Sequence, residues 1–180
     1  MSQLAYARMR DALDQLGLQR AGECIDGLLD RAGNGELTVV EMLDQLLSAE
    51  TAVRRERSIA MRLKLAGLPS VKTLEQFDFA FQPSLDELKI RDLHTLRFLS
   101  QGDNVIFLGP PGCGKTHLSI SLGHAAITAG EMVHFTTARD LFAKLRSTTA
   151  ATHFKRLTAN RSKLLIIDEI GYEPLDHLAA

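Results

Sequence analysis

The chain has 180 residues, 45% of them hydrophobic and 24% charged, as expected of an ordinary globular protein. Its apolar content excludes an intrinsically disordered chain, and with only 13 glycines and 5 prolines it is neither collagen-like nor of low complexity. The formal net charge of −1, from 21 basic and 22 acidic residues, does not by itself indicate a charged partner.

The amino terminus and the cysteines predict a cytoplasmic protein. Arg8, Arg10 and Asp11 interrupt the start of the chain before an apolar run can form, so we expect no signal peptide. No apolar stretch approaches the roughly 20 residues that a membrane span needs. Cys24 and Cys113 are the only cysteines and have no disulfide or metal-site spacing, which favours a reducing compartment.

Three helices are predicted in the first third of the chain. Thr38 and Glu41 have the spacing of a capping box that begins the third helix, and Gly67 with Pro69 ends it. Residues 1–67 are therefore expected to form a small helical domain. The apolar faces predicted for the three helices are Leu4, Met9, Leu13 and Leu16, then Ile25, Leu28, Leu29 and Ala32, then Val40, Leu43 and Leu47.

Residues 68–83 are predicted to form a linker. Phe77, Phe79 and Phe81 alternate before Pro83, which indicates an extended segment whose rings pack on a neighbouring core or bind a partner. A further helix should follow, with Ser84 and Glu87 as its capping box and Gly102 at its end. The residues expected on its buried face are Leu85, Leu88, Leu93, Leu96 and Leu99.

Strands and helices then alternate. Strands are predicted at 105–108, 132–136 and 164–167, and helices at 115–129, 138–146 and 151–159. The apolar run Val105–Leu108 is typical of a strand buried on both faces of a parallel sheet. This order implies right-handed crossovers and an α/β fold with a parallel sheet and flanking helices.

The strongest motif lies between the first predicted strand and the helix that follows it. It fits the P-loop pattern, or Walker A motif, of Gly, four residues, then Gly-Lys-Thr. Its glycines let successive backbone amides face an anion, and the helix that begins near Lys115 adds the positive end of its dipole. Lys115 is predicted to neutralise the β and γ phosphates of a nucleotide, and Thr116 to offer its hydroxyl to magnesium. The loop residues are Gly109, Pro110, Pro111, Gly112, Cys113, Gly114, Lys115 and Thr116.

A second motif resembles Walker B. The apolar run 164–167 ends in Asp168 and Glu169. Asp168 is predicted to hold the magnesium shell at the carboxyl end of its strand, and Glu169 to polarise the attacking water as a general base. Acidic residues often follow strands, so this motif gains its weight from the P-loop upstream.

Basic residues are concentrated in one region near the end of the chain. Between Arg139 and Lys163 there are seven basic residues and one acid, Asp140. Such a cluster is either a solvated face or a surface for phosphates, and DNA is its candidate ligand. The basic residues are Arg139, Lys144, Arg146, Lys155, Arg156, Arg161 and Lys163.

Taken together, these motifs resemble the IstB-like helper ATPases of insertion-sequence transposition, AAA+ proteins related to the DnaC helicase loader. The stretches that carry the resemblance are 73–79, 109–117, 135–141 and 164–176. The resemblance implies an ATPase that uses ATP and Mg2+, assembles on DNA as an ATP-dependent homo-oligomer and works with a transposase. It also brings His117 into the nucleotide-binding stretch and makes residues 1–67 a candidate partner-binding module.

The resemblance implies further features that this sequence does not contain. Residues 84–180 correspond to part of an AAA+ domain, without the later sensor strand and arginine finger. In the AAA+ sheet the sensor strand lies between the P-loop strand and the Walker B strand, so two strand edges are expected to lack their partner. On this basis we expect weak or no ATP hydrolysis, since an arginine finger contributes on the order of 10³-fold or more in related enzymes.

Two other functions stay open at this point. One is a helicase loader in DNA replication, which the same motifs would fit. The other is a non-enzymatic fragment that binds a transposase or helicase through its helical domain, with a vestigial P-loop.

Overall fold

The computed structural model describes residues 3–145 and 162–171. The chain divides into two compact units, Met1–Ser58 and Ile59–Ala180, and the division falls within the longest helix. The domain bounds expected from the sequence, 1–67, 68–83 and 84–180, stay predictions. The elements are α1 (Gln3–Gln15), α2 (Gln19–Gly33), α3 (Val39–Ala66), α4 (Glu87–Leu93), α5 (Arg97–Gln101), α6 (Lys115–Thr128), β1 (Val133–Thr137), α7 (Ala138–Leu145) and β2 (Leu164–Asp168).

The first unit contains α1, α2 and the first part of α3 around one apolar core. Leu13, Ile25 and Leu28 are buried in it, as the helical spacing predicted, and Ala21 and Leu46 complete it. The ends of the predicted α1 face are wrong, because Leu4 and Leu16 are 68% and 67% exposed.

The apolar face predicted for α3 is also wrong. Val40, Leu43 and Leu47 are 76%, 45% and 55% exposed, while Leu46 and Glu50 are buried. The buried face therefore includes a glutamate. Because apolar periodicity counts a glutamate as a solvent-facing residue, it predicts the neighbouring face of α3 as the buried one.

Glu50 completes the start of α2. Leu18 precedes this helix and has no side-chain group that could cap it. Instead the Ala21 N–H donates to Glu50 Oε2 (3.1 Å), and Arg54 Nε donates to Glu50 Oε1 (3.0 Å). These hydrogen bonds, the one from Ala21 first, hold the pKa of the Glu50 carboxyl below its usual range. At the start of α3 the predicted capping box is confirmed, since Thr38 N–H donates to Glu41 (2.8 Å) and Glu41 N–H to the Thr38 hydroxyl (3.3 Å).

The second unit is an α/β arrangement. Strands β1 and β2 pair in parallel, with Val133 opposite Leu164 and Thr137 opposite Asp168, so both strands end at the same edge. Helix α6 packs on them so closely that a Cβ at Gly123 would lie 2.8 Å from Ile166 Cδ1. The buried residues of this core are Ala66, Ala126, Ile127, Val133 and Ile166. The predicted fold class is confirmed.

The predicted strand at 105–108 is not formed. Residues 103–108 precede the P-loop without a strand assignment, and they pair with no strand of the described chain. Ile106 and Leu108 are 75% and 89% exposed, while Val105 and Phe107 are half-buried. A strand needs backbone partners on at least one edge, and an apolar run cannot supply them by itself.

The predicted extended linker and the helix after it are corrected as well. Leu74–Gln76 and Phe79–Phe81 form two 3-10 turns, and the following helical stretch is broken into α4 and α5. The break lies at Leu96, which has a left-handed backbone (φ 61°). Asp86, not Ser84, caps α4 by accepting from Lys89 N–H (3.2 Å), and Leu88 is exposed.

The remaining helix predictions have mixed outcomes. Helix α7 confirms the helix expected at 138–146 to within one residue, and the one expected at 151–159 lies outside the described residues. Within the described ranges, no helix combines the length and apolar character needed to cross a bilayer.

Candidate functional site

The loop Gly109–Gly114 leads directly into α6. Gly112 and Gly114 have φ of +80° and +86°, left-handed values that residues with a Cβ rarely adopt. Gly114 is the N-terminal boundary of α6, whose first residue is Lys115. The loop therefore ends at a helix N-terminus, where free backbone N–H groups and the helix dipole favour an anion.

The Lys115 ammonium lies against the loop. Its Nζ donates to the carbonyl oxygens of Gly109 and Pro110, each at 2.8 Å, and lies 3.7 Å from Cys113 Sγ. The side chain is half-buried. The predicted phosphate-binding cation is thus held at the site by the backbone of the same loop.

Thr116 and Asp168 meet although they are 52 residues apart. The Thr116 hydroxyl donates to Asp168 Oδ2 at 2.8 Å. Thr116 lies in the first turn of α6, and Asp168 is the last residue of β2, which α6 covers. Hydroxyl and carboxylate oxygens are ligands that Mg2+ accepts together with waters and phosphate oxygens, so the residues present fit this ion.

Glu169 follows Asp168 at the edge where both strands end. It is exposed and has a left-handed backbone (φ 60°), which is uncommon for a residue other than glycine. Strained residues of this kind cluster at functional sites. Its role as a general base stays a prediction.

His117 was also assigned to the nucleotide site from the sequence; it lies on α6 and bonds outside the loop. Its Nε2 lies 2.9 Å from the Thr73 carbonyl oxygen. Because a carbonyl only accepts, Nε2 carries the proton. The predicted nucleotide contact of His117 is not tested by this bond, since the backbone N–H of the residue is a separate donor.

A cavity of about 200 Å³ adjoins the P-loop. Lys115 and Cys113 line it from the loop, and Gln82, Ser84 and Leu85 line it from the segment before α4. Ser84 was predicted as a helix cap and Leu85 as part of a buried helix face, and no motif marked any of these three residues as part of a site.

Three basic residues of the predicted DNA surface can be located. Arg139 and Lys144 are exposed on α7, and Lys163 is exposed just before β2. The other four, Arg146, Lys155, Arg156 and Arg161, lie outside the described residues.

Two further observations on residues 3–145 and 162–171 concern metal ligands and cysteines. No group of three or more His, Cys, Asp or Glu side chains there has metal-binding geometry. Cys24 and Cys113 are free thiols.

Comparison with known proteins gives one consistent result. The sequence profile of a family described as IstB-like ATP binding protein matches residues 11–180. The chain is 42% identical over 166 residues to a Pseudomonas aeruginosa protein named as an ATP-binding protein of insertion sequence IS21, covering 91% of this chain and 63% of that protein.

Two further relatives carry similar names. The chain is 40% identical to the protein named for insertion sequence IS5376 in Geobacillus stearothermophilus, covering 94% of this chain and 68% of that protein. It is 37% identical to the one named for IS232 in Bacillus thuringiensis, covering 96% and 70%. The chain thus spans 63% to 70% of the length of these three relatives.

Proposed function

Because this chain belongs to the family of IstB-like ATP binding proteins, we propose that it binds ATP with Mg2+ and assists DNA transposition. The observation that carries the proposal is the 2.8 Å hydrogen bond between the Thr116 hydroxyl and Asp168. It joins the two sequence motifs at the N-terminus of α6, where an anion is favoured. A hydroxyl residue and an acidic residue taken at random from the chain would not be expected to contact each other at this position.

Each residue of the site has a role in this proposal. The backbone N–H groups of Gly112–Thr116 donate to the phosphate oxygens, and the Lys115 ammonium neutralises the β and γ phosphates. Thr116 and Asp168 hold the magnesium shell. Bound there, Mg2+ would supply positive charge that offsets the negative charge developing on the phosphate oxygens during hydrolysis.

Hydrolysis itself is proposed to be slow. Glu169 is the candidate general base, and it is exposed just after the end of β2. A general base contributes fully only when it is held within hydrogen-bonding reach of the proton that it removes.

The partners proposed for the chain are DNA, a transposase and further copies of itself. The relatives named for insertion sequences support the transposition role, and the basic run that begins at Arg139 supports DNA contact. The chain spans 63% of the length of the P. aeruginosa relative. The activity and partners of a whole protein of that kind are therefore proposed for this chain.

Thermal unfolding with and without Mg2+ and ATP tests the nucleotide proposal. At about 100 times its dissociation constant, a ligand stabilises the folded state by about 2.7 kcal/mol, which raises the midpoint by about 5 to 10 °C. We expect this shift in the parent chain and its loss in Lys115→Ala.

Lys89→Ala is the matched control, because Lys89 is an exposed lysine of the same unit, outside the site. It should shift as the parent does. A parent chain without a shift, or an equal shift in Lys115→Ala, would contradict ATP binding at the P-loop.

A further inference from the structure

A short segment about 40 residues upstream contacts the start of α6 at two positions, one before Lys115 and one after Thr116. We call residues 73–77 the brace. Phe77 of the brace lies against Gly114, and the Thr73 carbonyl accepts from His117. Between Gly114 and His117 lie Lys115 and Thr116, the two residues proposed to meet phosphate and magnesium.

The contact at Gly114 leaves no space for a side chain. A Cβ at this position would lie 2.5 Å from Phe77 Cε2, closer than real Cβ contacts allow, and 3.0 Å from Cζ. Phe77 is held in turn by edge-to-face contacts with Phe79, at 5.0 Å between ring centroids, and with His117, at 5.2 Å. The ring therefore restrains the backbone of the left-handed Gly114 turn.

The hydrogen bond of His117 is made to a residue that is itself held in place. Nε2 donates to the Thr73 carbonyl at 2.9 Å, and Thr73 N–H donates to Gln76 Oε1 at 3.2 Å, which closes the brace into a turn. The Thr73 hydroxyl also bonds the Glu75 carboxylate, and this bond holds the pKa of Glu75 below its usual range. The acceptor of His117 is thus part of an ordered turn.

From these contacts we propose that Phe77 and His117 are positioning residues for the nucleotide site. They hold the backbone from Gly114 to His117 so that Lys115 and Thr116 are ordered before the ligand arrives. Order that exists before binding does not have to be created on binding, so it appears as affinity. This inference rests on the proposed ATP binding.

The test is the affinity for Mg2+ and ATP, measured by calorimetric titration of the full chain. Phe77→Leu, Phe77→Ala and His117→Ala should each weaken binding by about tenfold, roughly the effect of one lost hydrogen bond or ring contact. His117→Gln should restore most of the affinity, because its amide N–H2 reaches nearly as far as Nε2.

Phe81→Leu is the matched control for Phe77→Leu. Phe81 follows the brace by four residues but is 74% exposed, so its truncation should leave the affinity unchanged. The unfolding midpoint without nucleotide is measured for every variant. Phe77→Leu and His117→Ala carry the test if Phe77→Ala fails to fold.

The outcomes separate this inference from the proposed function. If the parent chain does not bind ATP, both fall. If the parent binds through Lys115 while Phe77→Leu and His117→Ala bind equally well, only the brace falls. Lower midpoints at unchanged affinity would also overturn it, because they mean packing without positioning. A His117→Gln variant as weak as His117→Ala would overturn the role of the Thr73 hydrogen bond.

Discussion

Glu169 combines a strained backbone with a proposed chemical role. Its left-handed φ of 60° brings its Cβ close to a backbone oxygen. For a residue other than glycine, this contact lowers the stability of the fold by about 1 kcal/mol. Gly171, two residues later, has φ of +98° and tolerates it without strain. The chain therefore keeps a carboxylate at 169 where a glycine would fold more easily.

Two substitutions at this position separate strain from chemistry. Glu169→Gly should raise the free energy of unfolding by about 0.5 to 1 kcal/mol, because it relieves the left-handed strain. Glu169→Gln keeps the strain and should not stabilise. Both should reduce any residual ATP hydrolysis, by about 10²-fold.

Denaturant unfolding and steady-state phosphate release measure the two effects. A Glu169→Gly variant less stable than Glu169→Gln would show that no strain is stored there. Robust turnover that survives in Glu169→Gln would place the general base elsewhere.

At the scale of residues, the sequence predicted the contacts that a local pattern encodes. The P-loop from Gly109 to Thr116 is a contiguous motif, and Asp168 is marked by the apolar run before it. The contacts of Thr73 with His117 and of Phe77 with Gly114 join positions about 40 residues apart. No spacing rule links them, and only the folded chain brings them together.

Among the elements, α2 depends on a residue of another helix for its cap. The Ala21 N–H is one of the first amides of α2, and such amides have no partner within their own helix. Glu50 of α3 accepts from it at 3.1 Å, and Arg54 donates to Glu50 and to the Leu16 carbonyl at 3.2 Å. The charge of Glu50 thus ties three helices of the first unit together.

This cap makes the stability of the first unit dependent on acid pH. The folded pKa of Glu50 is below its ordinary value, so the unfolded chain takes up the proton first as the pH falls. The contribution is complete above the ordinary pKa and is lost as the pH falls through the folded one. Glu50→Gln should therefore lose less thermal stability than the parent between about pH 7 and pH 3.5.

Glu56→Gln is the control, because Glu56 is an exposed glutamate of the same helix. It should retain the pH dependence of the parent. If Glu50→Gln and the parent change equally over this range, the buried carboxylate is not the titrating group that stabilises the fold.

The wrong predictions of elements each have a physical reason. The run at 105–108 is apolar enough for a strand, yet strand formation depends on a backbone neighbour, which composition does not record. In α3 the buried face contains Glu50, so the apolar pattern indicated the wrong side. Helices α1 and α2 and the strands at 133–137 and 164–168 were predictable, because their periodicity and their partners agree.

For the molecule as a whole, the net charge of −1 conceals an uneven distribution. Seven of the 21 basic residues lie between Arg139 and Lys163, with one acid among them. A basic run can attract a polyanion even when the total charge does not, because salt limits the range over which each charge acts to about 8 to 10 Å.

DNA binding measured at rising salt tests this run. We expect Lys144→Glu with Lys163→Glu to weaken duplex binding by about tenfold and to reduce the slope of log affinity against log salt by about 2. Lys64→Glu with Lys89→Glu changes the net charge equally, at exposed lysines outside the run. If this second pair weakens binding as much, only total charge matters.

The cap on α2 has a consequence for the order in which the protein is made. Glu50 follows Ala21 by 29 residues, and Arg54 follows Leu16 by 38. During synthesis, the segments of α1 and α2 leave the ribosome before the side chains that complete their ends do. These two helices gain their final hydrogen bonds only when the middle of α3 has also left the ribosome, so the first unit matures as a set of three helices rather than one helix at a time.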